Sequence, residues 1–113
     1  MQRGILAVQT SPKPGEEEQF NAWYDAAHVP EILATVGFLV GRRFRTVRAP
    51  GEAGTAGPWL PYLAVYDIES DDLAASYASL TERFRSGTMT SADHVSVDPP
   101  HRSQLFEEIF RMP

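Results

Sequence analysis

A helical segment that carries its own stop signal and turns straight into a strand leaves few ways to build a small domain. Residues 20–38, FNAWYDAAHVPEILATVGF, are such a segment. At about 100° per residue, Phe20, Trp23, Tyr24 and Ala27 form one apolar face, and His28 falls at its border beside Tyr24 and Asn21. Asp25 precedes His28 by three residues and Tyr24 precedes it by four, so either reaches the imidazole. Asp25 is placed to hold one ring nitrogen while the other faces a pocket, which is the arrangement of a general base. The same spacing also serves a half-buried histidine tied into a structural hydrogen-bond network. Pro30 lacks a backbone N–H and is expected to kink or end the helix near His28, freeing the carbonyl of Ala26.

The flanking sequence supplies strands. Residues 4–10, GILAVQT, form an apolar run closed by the breakers Ser11, Pro12, Pro14 and Gly15, and read as the first strand. The first helix then spans about residues 16–35, with Glu16, Glu17 and Glu18 in a first turn whose dipole favours negative charge, and Gly37 as its stop. Residues 38–47, FLVGRRFRTV, read as the second strand. Residues 49–61 are rich in Gly and Pro without periodicity and read as a hairpin connection. Gly51, Gly54 and Gly57 lack the following Lys-Ser/Thr and helix that a phosphate loop requires.

Residues 62–68, YLAVYDI, read as the third strand, after which Ser70 caps a second helix with Asp71 and Asp72 in its first turn. Leu73, Tyr77, Leu80 and Phe84 form an amphipathic stripe suited to packing on a sheet, and Gly87 ends it. The long polar stretch 88–102, containing His94, Pro99, Pro100 and His101, reads as a lid segment, and residues 105–112, LFEEIFRM, as the final strand.

The order βαββαβ defines an α+β, ferredoxin-like single domain over residues 1–113, with two helices on one face of an antiparallel four-stranded sheet. Strand three alternates Tyr62, Ala64 and Tyr66 with Leu63 and Val65, and strand one alternates Ile5 and Ala7 with Leu6 and Val8. Neither face is polar, yet one layer of helices covers only one of them. The expectation is a homodimer joined through sheet faces.

Composition narrows the function classes. The absence of Cys fits a reducing cytoplasm and removes thiol chemistry and disulfides. The N-terminal run MQRGILAVQT is too short to span a membrane and has no signal-peptide cleavage pattern. A net charge of −5 argues against a nucleic-acid surface. Arg42, Arg43, Arg45 and Arg48 make one local basic stripe, read as a solvated strand face, a set of ion-pair partners or a site for an anionic group. His28, His94 and His101 lack zinc-type spacing, so no metal is expected, and no Gly-x-Ser-x-Gly elbow supports serine hydrolysis.

The run ILAVQTSPKPGEEEQFNAWYDAAHVPEILATVGFLVGRRFR, with the closing LFEEIF, resembles the EthD-like members of the dimeric α+β barrel superfamily. The sharp part of the likeness is residues 23–30 and 37–43, an aromatic-rich helix with a His-x-Pro pair followed by a Gly-Phe strand. The resemblance implies a homodimer with a pocket between helices and sheet in each subunit, and a role for His28 by position. The wider superfamily includes cofactor-independent polyketide cyclases, dehydratases, decarboxylases and monooxygenases.

The expected function is cofactor-independent acid/base chemistry on a small apolar or aromatic metabolite, a cyclisation, dehydration or related lyase or isomerase step. In that reading His28 transfers the proton, Asp25 orients it, and Tyr24, Tyr62 or Tyr66 donates to a developing enolate oxygen. Asn21, Trp23 and Arg43 complete the substrate-binding set. Two alternatives use the same pocket: a non-catalytic or stress-associated dimer holding a hydrophobic ligand, and a cofactor-free monooxygenase.

Overall fold

Apolar runs with period two become strands here wherever a second run lies within reach. In the computed structural model, which describes residues 1–47 and 59–113, β1 (Gln2–Thr10) is the hub. It pairs antiparallel with β3 (Tyr62–Ser70) from Gln2↔Ser70 to Thr10↔Tyr62, and on its other edge with β4 (Arg102–Glu107). β2 (Phe38–Arg45) pairs with β3, giving the order β2-β3-β1-β4. The expected α+β, ferredoxin-like sheet is therefore formed. The described helices, α1 (Glu17–Trp23), α2 (Val29–Leu33) and α3 (Leu73–Arg85), pack on its inner face. None is long and apolar enough to cross a membrane.

Pro30 does not end the first helix. A π turn, Tyr24–His28, joins α1 to α2, and the N–H of Val29 reaches back five residues to the carbonyl of Tyr24. A proline ring collides with the carbonyl four residues before it in an α-helix; the wider turn takes up that collision, so the helix continues with Pro30 in the first turn of α2. Gly37, at φ 94°, then supplies the left-handed residue that swings the chain into β2.

Two other boundaries differ from expectation. Asp72, not Ser70, caps α3, its carboxylate accepting from the N–H of Ala75 at 3.1 Å, because β3 runs on to Ser70. β4 lies earlier than residues 105–112, since pairing with β1 runs from Gln9↔Arg102 to Gly4↔Glu107 and one last hydrogen bond joins Glu108 to Arg3. Ile109, Phe110 and Met112 are consequently exposed. The basic stripe is split by strand alternation: Arg42 faces outward near Asp67, and Arg43 faces the helices. Arg48 and most of the 49–61 connection, with its glycines, lie outside the described residues.

The core is the inner face, where Leu6, Ala64, Tyr66 and Ile68 meet Phe20, Tyr24, Ile32, Leu73 and Leu80. On the outer face Ile5 and Ala7 stand beside Val65 and Leu63, flanked by half-exposed Val40, Phe44 and Phe106. No helix of the described chain covers that face.

Gly41 marks the closest approach of sheet and helix. A Cβ there would lie 2.7 Å from Cγ1 of Val29 and 3.3 Å from the Tyr66 ring. Val29 is β-branched and stiff, so the strain cannot be relieved by a rotamer change. Gly41→Ala is expected to lower stability by about 1–3 kcal/mol in urea unfolding; an unchanged midpoint would show that the contact is loose.

Candidate active site

The π turn decides which side chains share the space between helices and sheet. With hydrogen bonds reaching five residues back, Trp23 and Tyr24 both come to lie against His28. The Trp23 ring stacks on the imidazole at 4.5 Å between centroids and 23° between planes, and the Tyr24 ring meets it edge-on at 4.9 Å. Phe84 of α3 closes on the third side at 5.7 Å. These groups line a cavity of about 420 Å³ roofed by α3 and floored by Leu6, Val8 and Thr10 of β1. Ala92, Val95, His101 and Ser103 form the remaining wall.

Burial is the main force on His28. It pushes the imidazole down to about 4, opposed by the charge of Glu31 and assisted by those of Arg43 and His101, so the ring is neutral at physiological pH. Its Nδ1 is buried and has no hydrogen-bond partner, and neither does Nε1 of Trp23. Two polar atoms of one stacked pair are thus unsatisfied beside an apolar cavity. Native interiors rarely leave such groups unpaired. Tyr24 is also held above its ordinary pKa by burial, with Thr10 as hydrogen-bond partner and the cation of Arg43 pulling the other way.

Asp25 does not orient His28. Its carboxylate forms an ion pair with Arg43 at 2.7 Å, because strand alternation on β2 points that arginine at the helix. Arg43 also donates to Asn21 Oδ1 at 2.8 Å and lies 4.3 Å from the centre of the Tyr24 ring. Asn21 donates onward to the Tyr62 hydroxyl, which donates to Glu17. Asn21, Asp25, Arg43 and Tyr62 therefore form a satisfied polar network behind Tyr24, outside the cavity. Tyr66 is wholly buried; its hydroxyl has no hydrogen bond of ordinary geometry, burial raises its pKa, and Tyr24 adds to that rise. Of the residues expected at the site, Trp23, Tyr24 and His28 reach the cavity.

Residues 88–102, expected as a lid segment, contribute Ala92, Val95 and His101 to the lining; the part played by α3 was not expected. Tyr77 and Phe84 belonged to the stripe assigned to sheet packing, but only Leu73 and Leu80 are buried; Tyr77 and Phe84 face the cavity with Thr81. The segment before β4 is strapped over the helices. Lys13 N–H donates to the carbonyl of His94, Ser96 N–H donates to that of Ser11, and Nδ1 of His94 lies 2.9 Å from Glu16. Glu31 accepts from both the N–H and the hydroxyl of Thr90, bonds that hold its carboxyl below the usual carboxylate range. Among the described residues no group of three or more His, Asp or Glu converges to hold a metal ion.

A ferredoxin-like α+β domain with an apolar pocket between helices and sheet is the class these features define. No protein-family profile matches the sequence, and no curated protein does. Solved structures do match in fold. One is a candidate monooxygenase from Shewanella loihica, with a TM-score of 0.65 at 12% identity over 99% of both chains. Another is an EthD-like protein from Ralstonia eutropha, at 0.56 and 17% identity over 99% of this chain and 97% of that one. A third is an ethyl tert-butyl ether degradation (EthD) family protein from Bacillus halodurans, at 0.53 and 14% over 96% and 100%. The chain thus shares the ferredoxin-like α+β fold of these EthD-like structures.

The depressed pKa of His28 has a consequence for stability. The folded value of about 4 lies below the ordinary 6.5, so the unfolded chain takes up the proton first as pH falls. The cost is absent above the ordinary value and grows as pH drops toward the folded one. Relative to His28→Leu, the native protein is expected to lose about 3 kcal/mol between neutral pH and pH ~4 in urea titrations. Parallel stability curves for the two proteins would place the imidazole in water.

Proposed function

We propose that this protein is a cofactor-independent enzyme that moves a proton within a small, neutral, largely apolar or aromatic carbonyl compound, with His28 as the base. The observation that carries the reading is a neutral imidazole set in an apolar cavity with no carboxylate of its own. A neutral imidazole can accept a proton from a carbon beside a carbonyl. Once protonated, it is poorly solvated in that cavity and returns the proton readily. This behaviour suits redistribution of protons, as in cyclisation, dehydration or isomerisation. Nε1–H of Trp23, which lacks an acceptor in the protein, is the free donor for the developing enolate oxygen. Tyr24, kept protonated by its raised pKa, adds a hydroxyl dipole. Asp25 enters this reading only through Arg43, which it fixes over the Tyr24 ring.

Deuterium incorporation into β-tetralone in heavy water tests the proton transfer without knowledge of the natural substrate. His28→Gln is expected to slow incorporation by about a hundredfold or more while the melting temperature shifts little. Incorporation that persists at the native rate removes His28 as base, and a collapse in melting temperature makes it structural.

A second reading, oxygenation without a cofactor, is supported by the largely apolar lining of the cavity and by the Shewanella neighbour described as a candidate monooxygenase. The same carbanion would then be trapped by oxygen, and product formation would stop under argon.

The working unit in either reading is a homodimer joined through the outer sheet faces, as their apolar side chains and the EthD-like neighbours suggest. Leu63→Glu is expected to halve the solution mass measured by light scattering. An unchanged dimer mass would move the interface elsewhere, and a monomeric native protein would end the proposal.

A further inference from the structure

His28 is buried, 8% exposed, and the cavity it lines offers few groups able to relay a proton. Apart from His28, the cavity is lined by aliphatic, aromatic and neutral hydroxyl side chains with one exception, His101. That residue is exposed to solvent and lines the same cavity, and its charge acts on His28. It comes from the opposite end of the chain, immediately before β4, where Arg102 pairs with Gln9. The isolated bridge Pro12↔Val95 and the bond from Ser96 N–H to the carbonyl of Ser11 at 2.8 Å hold the approach to it. His101 thus lies between two anchored points of the chain, lines the cavity and is exposed to solvent.

We infer that His101 is the proton shuttle of the pocket, carrying protons between bulk water and His28. This rests on the reading of His28 as base. A substrate C–H gives its proton to the His28 imidazole, leaving the electron pair on an enolate. The imidazolium passes a proton to His101 at the rim, and His101 releases its other proton to water. The reverse sequence delivers a solvent deuteron to the enolate carbon, and nothing is oxidised or reduced. An imidazole suits this work because one ring nitrogen can accept a proton while the other releases one.

His101→Gln is the test, followed by deuterium incorporation into β-tetralone in a weakly buffered solution and again with added imidazole. Incorporation is expected to fall by about tenfold in the weak buffer and to recover toward the native rate as imidazole is added. Recovery is the signature of a missing proton carrier, which a structural role would not produce. A rate equal to the native one, or a loss that imidazole does not restore, overturns the inference and leaves the reading of His28 standing. Native protein that incorporates no deuterium overturns both. A substrate-free check is the nitrogen NMR titration of His28, whose protonation should move to higher pH in His101→Gln because a like charge has been removed. An unmoved titration would show that the two rings do not share the cavity.

Discussion

The missing N–H of Pro30 is the constraint on which the rest of the arrangement depends. An ordinary α-helix through residues 17–33 would drive the proline ring into the preceding turn. Breaking the helix would leave carbonyls unpaired against the sheet. The π turn avoids both, with the Val29 N–H bonded to Tyr24 and helical dihedral angles through His28 and Val29. The same widening sets Trp23 flat on His28 and Tyr24 edge-on to it. One local solution to a backbone problem therefore fixes three aromatic rings. π turns recur at functional sites for this reason: the extra residue re-aims side chains that a regular helix would spread around its axis.

Behind those rings stands a second constraint, the Arg43 network. A largely buried guanidinium needs fixed partners, and here it has Asp25, Asn21 and the face of Tyr24. It ties β2 to α1 and clamps the back of Tyr24. It also consumes the carboxylate that local spacing offered to His28. The imidazole is left with apolar neighbours, and desolvation, not an ion pair, sets its charge state.

Much of the fold was legible because strands advertise themselves by alternation. The runs around Leu6, Tyr66 and Phe38 and the stripe on α3 all became the expected elements. What was illegible depended on partners distant in the chain. LFEEIFRM has the composition of a strand, but β1 ends its ladder at Gly4↔Glu107. Asp25 sits at the right spacing for His28, yet an arginine from another element takes it. Tyr77 and Phe84 continue a sheet-packing stripe, yet line a cavity between helices and sheet. His94 and His101 were visible as residues, but nothing local placed His101 on the same cavity as His28. Of the candidate site, the aromatic turn was readable, and residues 88–102, which supply most of its far wall, were read as a lid segment without any sign of which of them face the cavity.

That far wall gives the architecture a division of labour. Ala92 and Val95 shape one side of the cavity from a segment outside the sheet and its helices. Its fastenings to the body run mainly through main-chain groups and the short polar links at Glu16 and Glu31. Ala92 stands outside the buried centre, and Val95 packs only against its edge. Bulk added or removed at these two positions would redraw the cavity's outline while the proline-bearing turn kept its geometry. In evolutionary terms the protein largely separates what its pocket can admit from what holds it together, so new ligand shapes are within reach of single substitutions at the margin of the core.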